Sequence, residues 1–127
     1  MYSNQIMEEF YNPTNFGVIR GASGVGKVVC EEGDEIIKIY IVVDSDNKIV
    51  EAEFQTFGGV VAIALTSFAN KFILNKSLNS AKKISIEDIS SMAGEIPENR
   101  MYLAHAVVAC AKMAIENVGK KNSKDDD

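Results

Sequence analysis

The sequence predicts an α+β fold, a three-stranded antiparallel sheet with helices packed on one face. Three observations carry the prediction. Strand-like runs are grouped in the first half, with one helical pattern before them and several after, an order that segregates sheet from helices. The last two strand-like runs are joined by the turn cluster DSDNK, which suits a hairpin. After Gly59 the apolar spacing changes from alternation to a helical period.

In chain order, Ser3 can cap a first helix, NQIMEEFY, whose Ile6, Met7 and Phe10 are spaced for one buried face. Asn12-Pro13 stops it. A loop rich in Gly and small residues is expected to run to about Gly26. Within it, GASGVGKVV matches much of a nucleotide phosphate loop, with Gly21, four residues, then Gly26 and Lys27. That chemistry also needs a Ser or Thr after the Lys, and a helix whose N-terminus faces the phosphates. Val28 follows Lys27, and VVCEEGDEIIKIYIVVD is β-branched, so the stretch reads as a Gly-rich turn entering a sheet. The strands expected are a short one around KVVC, then EIIKIYIVV ending at Asp44, then KIVEAEFQTF. In the last, Val50, Ala52 and Phe54 fall on one side and Glu51, Glu53 and Gln55 on the other, one face packed and one wet.

VVAIALTSFANKFILNK then predicts a helix to about Asn75, and SLNSAKK a short one. Ser85 with Asp88 makes a capping-box start for IEDISSMAG, with Gly94 as its stop. Ile96-Pro97 begins a linker into the final long helix, MYLAHAVVACAKMAIENV. Its LAHAVVACAKMAI portion is apolar nearly all round, broken by His105 and Lys112, so it needs cover on more than one side. A deep central position would supply that cover, and so would a partner protein over its outer face.

The 127 residues suit one domain, residues 1–118, with the charged GKKNSKDDD at 119–127 expected to be a disordered tail. A net charge of -5 argues against a nucleic-acid or anionic-membrane surface. The most apolar segment is interrupted by Thr66, Ser67, Asn70 and Lys71 and is too short to span a bilayer. The N-terminus lacks the pattern of a secretory signal. Two cysteines, Cys30 and Cys110, are too few for a disulfide framework, and a cytoplasmic protein with free thiols is the expectation. No Ser or Cys is placed beside the single histidine with an orienting carboxylate, and no acid pair stands out, so no enzyme activity is expected.

MYSNQIMEEFYNPTNFG, GVGKV, IIKIYIVV, EAEFQTFGG and AIALTSFAN occur in this order, and together they resemble the iron–sulfur cluster assembly scaffold family of IscU and NifU N-terminal domains. The resemblance runs from Met1 to about Val118 and implies a three-stranded sheet backed by helices. It also implies a site of three cysteines, helped by an Asp or a His, that holds a cluster or zinc and receives sulfur from a cysteine desulfurase. Thiolates suit that task because they are soft, charged ligands.

Residue by residue, the implied site is depleted. The family's first cysteine, in a C-G-D loop, falls on Gly33 in an ungapped match, with Asp34 and Glu35 after it, or on Glu32 with a one-residue shift. The second, after TFG, falls on Gly59, and the third on Leu103, with Tyr102 at the histidine position. The chaperone-read L-P-P-x-K motif resembles Ile96-Pro97-Glu98-Asn99-Arg100 with only its first Pro unchanged. No cofactor is therefore expected, and the implied role is a protein-binding accessory or regulatory one. The partner would be a cysteine desulfurase, another scaffold-family protein, a second copy in a homo-oligomer or an unrelated complex. The alternative is an iron–sulfur cluster or zinc held by relocated ligands, Cys30 and Asp34 foremost, with His105. His105 is turned roughly 200° from Leu103 on a helix, which weakens that set, and Cys110 lies about 10 Å further along and suits packing.

Overall fold

In the computed structural model, which describes residues 2–120, the strand-like runs form β1 (Gly24–Val29), β2 (Ile36–Val43) and β3 (Ile49–Phe57). They pair antiparallel in the order β1-β2-β3. Alternation sends Ile37, Ile39, Ile41, Ala52 and Phe54 to a buried inner face. Two of the helices, α2 (Val60–Ile73) and α5 (Met101–Glu116), cover that face, and α1 (Asn4–Tyr11), α3 (Leu78–Ala81) and α4 (Ile86–Ala93) pack against them. α5 packs on β1 and β2, α2 packs on β3 and α1, and α4 packs on both α2 and α5. The α+β architecture is the one the sequence predicts.

Local signals set the element ends. Ser3 Oγ accepts the Ile6 N–H at the start of α1. Ser85 and Asp88 complete a reciprocal capping box on α4, and Gly94 ends it with φ +82°. In the β2–β3 hairpin, Asp44 Oδ1 accepts the N–H groups of Asp46 and Lys48.

Two expectations need correction. β1 starts at Gly24, inside the stretch expected to be loop. Gly24 and Gly26 face α5, and a Cβ on either would run into the carbonyl oxygen of Ala114 or Cys110. The glycines are there because a helix backbone lies on the strand. Lys27 is a strand residue followed by more strand, so the helix a phosphate loop needs is missing from this segment. Val50 does not face the core. A bulge pairs Val42 with Glu51 and Val43 with Ile49, so Ile49 takes the inner position and Val50 is left exposed. Of the two kinds of cover that the composition of α5 allowed, the chain supplies the first. The apolar surface of the helix is buried within the chain, and only His105, Ala109, Lys112 and Glu116 form an exposed stripe. The helix has the deep central position, and its composition asks for no external cover.

Before β1, Gly17 N–H bonds Phe54 O and Phe54 N–H bonds Asn15 O, so residues 15–17 line the free edge of β3. The chain must then pass β2 to reach Ser23, whose N–H bonds Ile41 O. Gly17 sits against the Glu53 side chain, and Tyr40 on the outer face is only 5% exposed. Of the predicted tail, residues 121–127 lie outside the described residues, and Gly119 N–H bonds Ser23 O. Among the described residues no helix is long and apolar enough to cross a membrane.

Candidate functional site

Strand register brings Val29, Ile36 and Phe57 level with one another at one end of the sheet. Three segments leave from this end: the β1–β2 loop, residues 30–35; Gly58-Gly59 entering α2; and the 3-10 turn Glu98–Arg100 that leads into α5. The loop is closed by its own backbone, with Cys30 N–H bonding Glu35 O and Asp34 N–H bonding Cys30 O, each 2.8 Å. Asp34 makes the reversal in the left-handed region at φ +65°, which Asp tolerates better than most residues.

Glu35 joins the three segments. Its Oε2 accepts a 2.8 Å hydrogen bond from the Tyr102 hydroxyl in the first turn of α5. Its Cγ lies 2.8 Å from where a Cβ would stand on Gly58. Its Oε1 is buried without a partner. The hydrogen bond to this carboxylate, then burial, pushes the Tyr102 phenol up to about 12, so it stays a donor through the physiological range.

The positions singled out in the sequence fall as follows. Gly33 and Tyr102 are in contact across this cradle, and a Cβ on Gly33 would collide with the Tyr102 hydroxyl. Gly59 is the N-cap of α2, and a Cβ there would meet nothing within 4 Å. Leu103, one residue past Tyr102, is buried in the core. Cys30 is buried at the root of the loop, its thiol pushed up by burial, then by Glu35 and Glu32. Asp34 is exposed in the same loop, and His105 is on the exposed stripe of α5. Among the described residues no three His, Cys, Asp or Glu side chains gather closely enough to hold a metal ion. Cys110 lies in the core under β2, its Sγ 3.5 Å from Ile37 O, and burial pushes its thiol up to about 12.

Sequence reasoning missed Glu35 as the centre of the cradle. The signal was the ungapped match, which sets Glu35 two residues past Gly33 and so at the place of the family's C-G-D aspartate.

Where the resemblance places the family's ligands, the residues present do not fit a cluster or a structural zinc. No thiol stands at Gly33, Gly59 or Leu103, and a side chain at Gly33 would start 2.6 and 2.7 Å from the two Glu35 carboxylate oxygens. What faces the cradle is a phenol and a carboxylate, hard oxygen donors already bonded to each other.

Fold and tip together define a small α+β domain with a cradle built from three segments at one end of its sheet. The NifU-like N-terminal domain family matches residues 1–125. The iron–sulfur cluster assembly scaffold protein IscU 1 of Archaeoglobus fulgidus is 35% identical over 126 residues, 99% of this chain and 82% of its own length. A NifU-like N-terminal structure from Brucella abortus superposes with a TM-score of 0.72, at 13% identity, over 94% of this chain and 95% of its own. A candidate scaffold for the SUF system of Fervidobacterium islandicum superposes at 0.74, with 18% identity, over 90% of this chain and 96% of its own. At these identities the two structures speak for the fold. The chain belongs to the NifU N-terminal and IscU family of iron–sulfur cluster assembly scaffolds.

Proposed function

We propose that this chain is a ligand-depleted scaffold that works in cluster assembly by binding proteins, without a cluster in the family's usual site and without catalysis of its own. The observation that carries the reading is the Tyr102–Glu35 hydrogen bond across the cradle. A scaffold site needs soft thiolates around an open space. Here the space beside Gly33 is taken by a phenol hydroxyl and a carboxylate. The fold around it is intact, which suits a chain kept for the surfaces it offers. A cysteine desulfurase or another scaffold-family protein is the partner this reading favours, and the cytoplasm is the compartment that two free thiols suit.

The test is the iron and sulfide content of anaerobically purified protein, before and after incubation with iron, cysteine and a cysteine desulfurase. The reading expects neither above background. Near-stoichiometric iron and sulfide with visible absorption would overturn it. The unpartnered Glu35 Oε1, close to Cys30, favours a second reading in which relocated ligands hold metal. Under that reading metal appears in the wild type and is lost in Cys30→Ala or Asp34→Ala.

A further inference from the structure

β1 is an edge strand, paired with β2 on one side only. Lys27 N–H turns away from β2 and donates to Met113 Sδ at 3.3 Å. By the alternation of a strand, the backbone groups of Val25, Lys27 and Val29 therefore all point to the free edge. α5 meets them at a regular spacing. Asn117 Nδ2 donates to Val25 O at 2.8 Å, and Met113, one turn back, accepts from Lys27. One such step of four helix residues advances about 6 Å, and two strand residues advance about 6.6 Å, so the next pair in the series is Ala109 with Val29. A methyl group neither donates nor accepts. Both residues are exposed, and among the described residues the Val29 N–H and C=O and the Lys27 C=O have no partner. The edge is thus closed at Val25, held at Lys27 by a thioether, which is a weak acceptor, and open at Val29.

We propose that this edge takes up an extended segment of a partner protein as a fourth, antiparallel strand, with an apolar residue opposite Val29 and a carboxylate opposite Lys27. In that pairing the residue opposite Val29 accepts its N–H and donates to its C=O. Two positions on, the residue opposite Lys27 donates to the Lys27 C=O, and its own carbonyl replaces the Met113 sulfur as acceptor. Gly24 and Gly26 face α5, so the side chains of Lys27 and Val29 take the outer face. Directly opposed side chains sit about 5 Å apart, which sets the chemistry of the segment. Exposed Val29 pairs with an apolar side chain, and the exposed Lys27 ammonium with an acid. The added strand runs against β1, so the apolar residue comes first and the acid two positions later. Asn117 ends the pairing at Val25, which keeps the segment short and its binding weak. The proposal stands on the strand edge and is independent of what the cradle holds.

Fluorescence anisotropy of the labelled, end-capped peptide TSVTETS with the full chain tests it. Binding should saturate below about 1 mM protein. N-methylation of the peptide's valine or of its glutamate removes a donor aimed at β1 and should weaken binding about fivefold or more. N-methylation of the threonine between them, whose N–H points away, should be tolerated. Lys27→Glu should invert the preference toward the peptide with lysine in place of glutamate. Val29→Pro removes an N–H from the free edge and spares the β1–β2 ladder, so it should lose binding while circular dichroism shows it folded. No saturable binding at 1 mM overturns the proposal, and so does equal sensitivity to N-methylation at all three positions. Self-association of the chain that the peptide does not compete away would assign the edge to a second copy and also overturns it.

Discussion

The Tyr102 hydroxyl donates a 2.8 Å hydrogen bond to Glu35 Oε2 and so ties the first turn of α5 to the end of the β1–β2 loop across 67 residues of sequence. Tyr102→Phe removes the donor and leaves both carboxylate oxygens without a partner. A hydrogen bond to a charged group in a half-buried setting is worth about 1–2 kcal/mol, and the urea midpoint should fall accordingly. The pH dependence has a definite sign. The phenol is raised in the folded state to about 12 from an ordinary 10.0, so its stabilisation is complete below pH 10.0 and lost as pH rises to about 12. A difference titration at the phenolate band should show one tyrosine near 12 in the wild type and its loss in Tyr102→Phe. Identical titrations would remove the hydrogen bond from the account.

The same contact decides whether ligands can be grafted back. Gly33→Cys places a Cβ against the Tyr102 hydroxyl and the Glu35 carboxylate, so the pair must separate to admit it. Gly33→Cys should destabilise the wild type, and the loss should shrink in a Tyr102→Ala background, a coupling of about 1 kcal/mol or more in a double-mutant cycle. Gly59→Cys meets open space and should be close to neutral. Additive losses at Gly33 and Tyr102 would mean that the two do not compete for the cradle.

Both thiols should be slow. Cys30 and Cys110 are buried, and burial is the first cause that raises each, Cys110 to about 12. The thiolate is the reacting form, so at pH 8 native protein should label far more slowly with a disulfide reagent than a free thiol peptide. Cys30, at the root of a loop, should react before Cys110, and urea should equalise them. Fast labelling of native Cys30 would show an open loop.

The elements were legible in the sequence where their causes are local. Ser85 with Asp88 caps its own helix, and Asp44 with Lys48 closes its own hairpin. The register of β3 was not, because the bulge opposite Val42 and Val43 moves Val50 from the core side to solvent. The cradle was legible only in outline. The resemblance pointed to Gly33 and Tyr102, yet their contact and the place of Glu35 depend on α5 docking against the far end of β1 and β2. The row Val29, Ile36 and Phe57 at the cradle end was hidden too, since cross-strand pairing makes these residues neighbours and sequence spacing does not.

Asn70 is fully buried in α2, and neither its Nδ2 nor its Oδ1 has a hydrogen-bond partner. An unpaired buried amide costs about 1–3 kcal/mol, and an apolar side chain of similar size avoids that cost. Asn70→Leu should therefore raise the denaturation midpoint. A clear loss of stability in a folded variant would mean that the amide is satisfied in solution.

Gly26 gives the sharpest test of how α5 lies on the sheet. A Cβ there would be driven into the carbonyl oxygen of Cys110 and within 2.9 Å of the Ala114 backbone nitrogen. These are backbone atoms of a packed helix, and they cannot swing aside as a side chain can. Gly26→Ala should therefore cost at least the 1–3 kcal/mol typical of overpacking, although alanine suits a strand better than glycine does. Gly21 is a control from the same Gly-rich stretch. It has no neighbour within 4 Å but sits at φ +70°, so Gly21→Ala should show only the smaller backbone penalty. Equal losses at the two positions would mean that conformation, and not the approach of the helix, selects glycine in β1.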